Sequence, residues 1–227
     1  MKFMESELIR ILREQGASLV GFGDMSGFGT VDMPYGVSIA LKLPKEIVRG
    51  ITHGPTREYF DTYHKWNARL DALARLGAGY LKSCGYQAVG QTSDVVKQDS
   101  QYRTKLPHKT VVVQSGLGWI GKCALLITKE YGSAVRLTSI LTDAPVTCAS
   151  PVTASACGSC RACQDACPGT AVKGEVWEPG IARERLYDFA RCRDAARKIS
   201  GENIGEYITL CGKCIEVCPY TQKYIKR

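Results

Sequence analysis

The stretch Cys157-Gly158-Ser159-Cys160-Arg161-Ala162-Cys163-Gln164-Asp165-Ala166-Cys167-Pro168 holds three cysteines spaced three apart and a fourth directly before a proline. Three cysteines at this spacing place their thiolates around one 4Fe-4S cubane, and the fourth reaches a neighbouring cluster. A shorter version follows at Cys211-Gly212-Lys213-Cys214-Ile215-Glu216-Val217-Cys218-Pro219. The two stretches together predict two neighbouring clusters and hence the transfer of single electrons.

The second stretch lacks one thiolate. Cys192 supplies it, because it is the only cysteine between the two stretches. The rule that the fourth cysteine of each stretch crosses to the other cluster then assigns eight ligands in two sets. Cluster one takes Cys157, Cys160, Cys163 and Cys218; cluster two takes Cys167, Cys192, Cys211 and Cys214.

Two other uses of the cysteines stay open but fit the spacing less well. Zinc sites usually combine two CxxC or CxxH pairs across a longer loop. Disulfides need an oxidising compartment, and residues 1–7 contain no apolar signal region, so we expect a reducing cytoplasm. Outside the two sets, Cys84, Cys123 and Cys148 are expected to be buried inert thiols, although Cys123 would line any cofactor pocket next to Lys122.

Composition limits the function classes. The chain has 227 residues, 44% hydrophobic and 23% charged, and contains no apolar run long enough to span a bilayer. Its net charge of +8 invites a nucleic-acid interpretation. Each oxidised four-thiolate cluster contributes about −2, however, so the loaded protein would carry roughly +4. No arginine-rich run or aromatic RNA-binding motif accompanies the lysines, and nucleic-acid binding has no support from the sequence.

Residues 1–147 alternate between helical and strand periodicity, which predicts an α/β domain, and residues 148–227 form the predicted cluster domain. The stretch 92–108 is polar and patternless, which favours a loop over a site. The predicted elements are a helix at 4–15, strands at 19–22 and 37–43, a long helix capped by Thr56, strands at 87–91 and 111–113, and a hairpin of 125–127 with 135–141 turned at 131–133.

Gly116, Gly118 and Gly121 match the GxGxxG pattern of dinucleotide sites, with Asp143 about twenty residues further on. A true fingerprint opens a helix, whereas the residues that follow alternate like paired strands. The glycines are therefore expected to serve tight turns and close packing, with a cofactor cradle as the alternative.

The motif Gly116-Leu117-Gly118-Trp119-Ile120-Gly121-Lys122, the pair Leu125-Leu126, Tyr131-Gly132-Ser133 and the order of the eight cysteines resemble the epoxyqueuosine reductase family over about residues 37–219. The resemblance implies a nitroreductase-like α/β layer that binds cobalamin without flavin, followed by a small α+β ferredoxin-like two-cluster domain. Reductive dehalogenases are similar at a greater distance. The implied cobalamin contacts are Gly116, Gly118, Lys122, Thr128 and Ser139.

The sequence departs from the family pattern where chemistry is expected. Gln91 stands where the family has an aspartate proton donor, and an amide is not an acid. His108, one of three histidines, could replace that acid because imidazole titrates near neutral pH. Thr128 and Asp194 replace an expected histidine and serine. The sequence stops eight residues after Pro219, before the family's helical repeats, so tRNA is expected to be an unlikely partner.

These features together predict an iron–sulfur oxidoreductase whose clusters pass electrons to cobalamin, which reduces a small organic substrate or a modified nucleoside. A low-potential donor such as a ferredoxin or flavodoxin would supply the electrons, and no membrane is involved. The alternative is an electron carrier or reductive activator for a corrinoid protein, with no substrate of its own.

Overall fold

The computed structural model describes residues 2–29 and 33–227. Met1 and residues 30–32, which fall in the predicted first domain, lie outside the described residues. The helices are α1 (Lys2–Glu14), α2 (Lys45–Gly50), α3 (Arg57–Ser83), α4 (His108–Gln114), α5 (Ala162–Asp165), α6 (Arg183–Leu186), α7 (Phe189–Ile204), α8 (Lys213–Glu216) and α9 (Pro219–Lys226). The strands are β1 (Leu19–Asp24), β2 (Tyr35–Lys42), β3 (Ala88–Gly90), β4 (Trp119–Ile120), β5 (Leu126–Ile127) and β6 (Val135–Thr142).

The chain divides into two compact units, each built from separate segments. The sheet unit comprises Met1–Leu41, Lys65–Leu117 and Arg136–Val152, and the cysteine unit comprises Lys42–His64, Gly118–Val135 and Thr153–Arg227. The division at residues 147 and 148 stays a prediction, since the sheet unit runs on to Val152 and two earlier segments group with the cysteine-rich tail. Among the described residues, no helix has both the length and the apolar character needed to cross a membrane.

The sheet unit contains a four-stranded sheet in the order β1-β2-β6-β3. Strand β1 runs antiparallel to β2, and β3 runs antiparallel to β6. The apolar stripe of α1, which includes Leu8 and Leu12, packs with Leu70 and Leu73 of α3 in the core of this unit. Gly16 follows α1 with φ of +94°, a conformation that favours glycine. The predicted helix and strands of this region are therefore confirmed as a mixed α/β arrangement.

The long helix α3 begins where the sequence predicted. The Thr56 hydroxyl accepts a hydrogen bond from the Tyr59 amide at 3.2 Å, which satisfies one of the free N–H groups of the first turn. Residues 92–107 contain no helix or strand, which confirms the predicted loop.

The predicted strand at 111–113 is wrong, because Val111–Val113 lie inside helix α4. A run of three β-branched residues is too short to separate a strand from a buried helical turn. Pro107 precedes the helix with φ of −67°, and all three valines are buried. The earlier glycines make room for this helix: a Cβ on Gly23 would lie 2.8 Å from the backbone carbon of Gln114.

The predicted hairpin of 125–127 with 135–141 is also wrong. Strand β5 pairs instead with β4, with Trp119 opposite Ile127. Strand β6 lies between β2 and β3 in the other sheet. Both partners of β6 are distant in sequence, and such pairing leaves no local signal in the chain.

The cysteine unit is built from short helices and the β4–β5 ladder, held together by bonds between distant segments. The Tyr224 hydroxyl donates to the Leu43 carbonyl at 2.9 Å. The Ser133 amide donates to the Thr221 hydroxyl at 3.0 Å. The Asp188 side chain caps α7 by accepting from the Arg191 amide at 3.0 Å, which places Cys192 in the first turn of that helix.

Candidate functional site

A cavity of about 120 Å³ in the cysteine unit contains all four predicted ligands of cluster one. Most of its accessible lining is apolar carbon and sulfur, which suits an iron–sulfur cluster more than a hydrated ion. The lining residues are Gly121, Lys122, Cys123, Ile127, Ala156, Cys157, Cys160, Cys163, Cys214, Cys218, Pro219 and Tyr220. The cavity therefore brings together the four cysteines predicted from spacing, and it also contains Cys123 and Cys214.

Local backbone structure directs the predicted ligands of cluster one into this cavity. The Cys160 amide donates to the Cys157 carbonyl at 3.0 Å, which closes a tight turn between the first two thiols. Cys163 lies in helix α5, and Cys218 is the residue that precedes helix α9. Pro219 begins α9, where its missing N–H costs nothing and its fixed φ favours a helix.

Two of the predicted ligand thiols in this cavity, Cys163 and Cys218, have a pKa above the usual range of a thiol. A hydrogen bond from Cys123 and burial raise the pKa of Cys163, and burial raises that of Cys218. These thiols would hold their protons in an empty, apolar pocket, whereas iron binding removes the proton because the thiolate is the ligand. Cluster assembly is therefore expected to release protons.

Three of the four predicted ligands of cluster two come together elsewhere in the cysteine unit. Burial raises the pKa of Cys192 to about 11, and the negative charges of Cys167 and Cys211 add to this effect. The Cys167 sulfur accepts a hydrogen bond from the Ala171 amide at 3.3 Å. The fourth predicted ligand, Cys214, lines the first cavity instead. Within the described part of the chain, no three His, Cys, Asp or Glu side chains are arranged to hold a single metal ion.

Lys122, the last residue of the glycine motif, and the adjacent Cys123 both line the first cavity, whereas the sequence placed them at a corrinoid pocket. Lys122 is 6% exposed, and its ammonium group donates to the Cys160 carbonyl at 2.9 Å. Cys123 is buried and hydrogen-bonds with both Cys163 and Cys214. The available signal was the apolar stretch that follows them, which predicts that the whole segment is buried.

The expectations for the other cysteines are corrected in part. Cys84 is exposed at the end of α3, and Cys148 is half-buried, so neither is the buried thiol that was expected. Cys123 is buried and lines a pocket, but that pocket is the cysteine cavity.

A polar cluster in the sheet unit joins both predicted catalytic residues through Ser139. The His108 Nδ1 atom lies 3.0 Å from the Ser139 hydroxyl, which is 1% exposed. The backbone N–H of Gln91 donates to the Ser139 carbonyl at 2.8 Å, and the backbone carbonyl of Gln91 accepts from the Thr138 hydroxyl at 3.1 Å. Residues that lie far apart in sequence therefore meet beside strand β6.

The electrostatic setting of His108 differs from the one expected. Burial, reinforced by the positive charge of Arg136 and opposed by Asp71, lowers the pKa of His108 to about 4. The imidazole is therefore neutral at pH 7, which corrects the expectation that it titrates near neutral pH.

The five expected cobalamin contacts are distributed over both units and are largely engaged within the protein. Gly116 and Ser139 belong to the sheet unit, whereas Gly118, Lys122 and Thr128 belong to the cysteine unit. A Cβ on Gly118 would clash with the Ile127 carbonyl, so the β4–β5 pairing itself requires a glycine there. The Thr128 hydroxyl accepts from the Tyr131 amide at 3.1 Å.

Comparison with known proteins agrees with the cysteine pattern. Residues 156–221 match the sequence family described as a 4Fe-4S double cluster binding domain. The epoxyqueuosine reductase of Synechococcus sp. strain CC9605 is 33% identical over 166 residues, which are 71% of this chain and 47% of that protein. The chain thus spans about half the length of this curated relative.

Solved structures show the same fold at lower identity. An epoxyqueuosine reductase crystallised with an epoxyqueuosine-modified tRNA stem loop superposes with a TM-score of 0.63 at 21% identity, covering 97% of this chain and 66% of that one. A reductive dehalogenase, whose structure suggests a mechanism for B12-dependent dehalogenation, gives a TM-score of 0.67 at 18% identity over 90% of this chain and 30% of its own. These comparisons and the cysteine geometry confirm that the chain resembles the epoxyqueuosine reductase family, with a 4Fe-4S double cluster binding region at its C-terminal end.

Proposed function

We propose that this chain is an iron–sulfur oxidoreductase that carries two 4Fe-4S clusters in its cysteine unit. The observation that supports this most strongly is the cavity shared by Cys157, Cys160, Cys163 and Cys218, the four residues that spacing assigns to cluster one. Cys167, Cys192, Cys211 and Cys214 hold cluster two in this proposal. Cys214 then has to turn away from the first cavity when the clusters assemble.

The residues present fit iron–sulfur chemistry. Bound clusters would supply one-electron transfer at low potential. The protein holds the thiolates in place, surrounds them with apolar side chains such as Ile127, and keeps water away from them. The backbone N–H of Ala171 already points at the Cys167 sulfur, as expected for a group that stabilises a ligand thiolate.

Cobalamin as the electron acceptor is the finer part of the proposal, and its support is the resemblance and the fold shared with a B12-dependent dehalogenase. Three of the five residues expected to contact it are engaged elsewhere in the protein. Gly118 is required by strand pairing, Lys122 is bonded inside the cysteine cavity, and Thr128 is bonded within its own turn. No catalytic step is therefore assigned to cobalt, and the domain boundary between residues 147 and 148 likewise remains part of the proposal.

The proposed substrate is an organic molecule in the class of modified nucleosides, either free or within tRNA. The expectation that tRNA is an unlikely partner has no support from the comparisons, because a protein of the same fold was crystallised with a modified tRNA stem loop. A single-electron donor such as a ferredoxin or flavodoxin supplies the electrons in this proposal. The alternative of a carrier without its own substrate is not favoured by relatives that are named as reductases.

The polar cluster of the sheet unit supplies the proposed catalytic residues, His108 and Gln91. Because burial keeps the imidazole neutral at pH 7, it donates or accepts a hydrogen bond rather than serving as the acid. Gln91 has a side-chain amide that both donates and accepts hydrogen bonds, which suits substrate positioning.

Two measurements on anaerobically reconstituted protein test the proposal. Iron and acid-labile sulfide should each approach about eight per chain. Added cobalamin, reduced in the presence of the protein, should give a protein-bound base-off cobalt(II) EPR signal. An iron content far below this value would contradict the presence of two clusters. A cobalt signal identical to that of free cobalamin would refute cobalamin binding without affecting the proposal of two clusters.

A further inference from the structure

Lys122 is a buried cation for which the described residues provide no counter-ion. Among the described residues, the charged side chains that are buried are those of Glu5 and Lys122. Glu5 accepts hydrogen bonds from the Thr147 amide and hydroxyl at 2.9 and 3.1 Å. Lys122 donates to a backbone carbonyl and forms no ion pair with any carboxylate in the described part of the chain. Burial of an ammonium group without an anion is strongly unfavourable, so an anion is expected in its cavity.

The cavity itself indicates which anion this is. Lys122 lines the same 120 Å³ space as the four ligands assigned to cluster one. A cubane bound by four thiolates is an anion of about −2, and one-electron reduction makes it more negative. The cluster therefore supplies the missing counter-charge, an argument that rests on the proposed function.

The ligands of cluster two have a different electrostatic setting. Lys213 lies next to Cys214, but its ammonium group bonds to the Glu216 carboxylate and to the Thr52 carbonyl, both at 2.8 Å. The Glu216 carboxylate offsets the charge of Lys213, which nevertheless favours the thiolate form of Cys211. The negative charge of Asp188 acts on Cys192, although Asp188 also faces Arg191 at 3.7 Å on the exposed side of α7. The buried ammonium group of Lys122 lines the cavity of cluster one instead.

We propose that Lys122 is the counter-ion of cluster one and raises its reduction potential above that of cluster two. Reduction adds one negative charge to a cluster, and a cation in the same low-dielectric cavity stabilises the reduced form more than the oxidised form. An electron from a low-potential one-electron donor then passes from reduced cluster two to oxidised cluster one, which leaves cluster two oxidised and cluster one reduced. No proton transfer is needed for this step.

Redox titration followed by EPR on the reconstituted full chain tests this proposal. Lys122→Met removes the charge while keeping an apolar stem of similar length, and Lys122→Arg retains the charge. Lys213→Met is the matched control, because Glu216 already neutralises that lysine. Cys192→Ser removes a ligand of cluster two. The midpoint potential that remains in this variant therefore belongs to cluster one.

We expect Lys122→Met to move the midpoint potential of cluster one to a more negative value. In Lys122→Arg this potential should stay close to that of wild type, and in Lys213→Met it should shift less than in Lys122→Met. If Lys122→Met fails to assemble cluster one, assembly in Lys122→Arg still supports the counter-ion role, and failure in both variants overturns it. An unchanged midpoint in Lys122→Met, or a shift confined to cluster two, also overturns the proposal. A wild-type iron content far below about eight per chain would instead contradict the proposed presence of two clusters.

Discussion

Replacement of His108 by asparagine should abolish a pH dependence of stability that the structure places between about pH 4 and 6.5. The folded pKa is about 4, because burial and the charge of Arg136 disfavour the imidazolium, whereas the unfolded chain keeps the usual value of 6.5. Between these values the unfolded state binds more protons, so stability rises with pH. The stabilisation is complete above pH 6.5 and is lost as pH falls towards 4.

The size of the effect follows from the two pKa values. Each pH unit is worth about 1.4 kcal/mol, so the full interval corresponds to about 3 kcal/mol. A practical window from pH 7.5 to pH 5 captures about 2 kcal/mol of it. For a chain of this length, that equals a melting-temperature difference of about 4–8 °C.

Thermal unfolding of wild type and His108→Asn should be compared anaerobically at both pH values. Asparagine places a polar atom near the position of Nδ1, so the contact with Ser139 has a substitute and effects common to both proteins cancel. The wild type should lose about 2 kcal/mol more than the variant at low pH. Parallel pH profiles would refute the reasoning, as would an NMR titration in which His108 has a pKa near 6.5.

Three further predictions concern the cysteine unit. Cys192→Ser should lower the iron content from about eight to about four per chain. Cys84→Ser, at an exposed cysteine outside both ligand sets, should leave the iron content unchanged. Equal iron contents in the two variants would contradict the ligand assignment. Cys123→Ala should keep about eight irons, because this thiol is a neighbour of the ligands and not one of them, and loss of one cluster would make it a ligand. Gly132→Ala should lower the free energy of unfolding by about 1–3 kcal/mol, because Gly132 has φ of +58° and a Cβ there would clash with helix α9. The control Gly79→Ala, with open space around it in α3, should not destabilise the protein. Equal effects in thermal unfolding would show that the close approach at Gly132 is unimportant.

The features that were predictable from sequence are those in which spacing alone determines the chemistry. The cysteine pattern predicted a double cluster region, and residues 156–221 match such a family. Helices with a clear apolar stripe and a capping residue, such as α3 after Thr56, were also predictable because their signals are local.

The failures occurred where neighbours distant in sequence decide the outcome. Val111–Val113 became helical because α4 packs against β1, where Gly23 leaves space for it. Strand β6 paired with β2 and β3 rather than with its nearest neighbour along the chain. The position of Lys122 depended on a carbonyl 38 residues further on, and no periodicity reports such a contact.

The central claim is that eight cysteines hold two 4Fe-4S clusters in the cysteine unit. Iron and acid-labile sulfide analysis of the anaerobically reconstituted full chain, combined with Mössbauer spectroscopy, tests it most directly. We expect about eight irons and eight sulfides per chain, all in 4Fe-4S centres. A chain that holds zinc, or that saturates at about four irons, would contradict the claim.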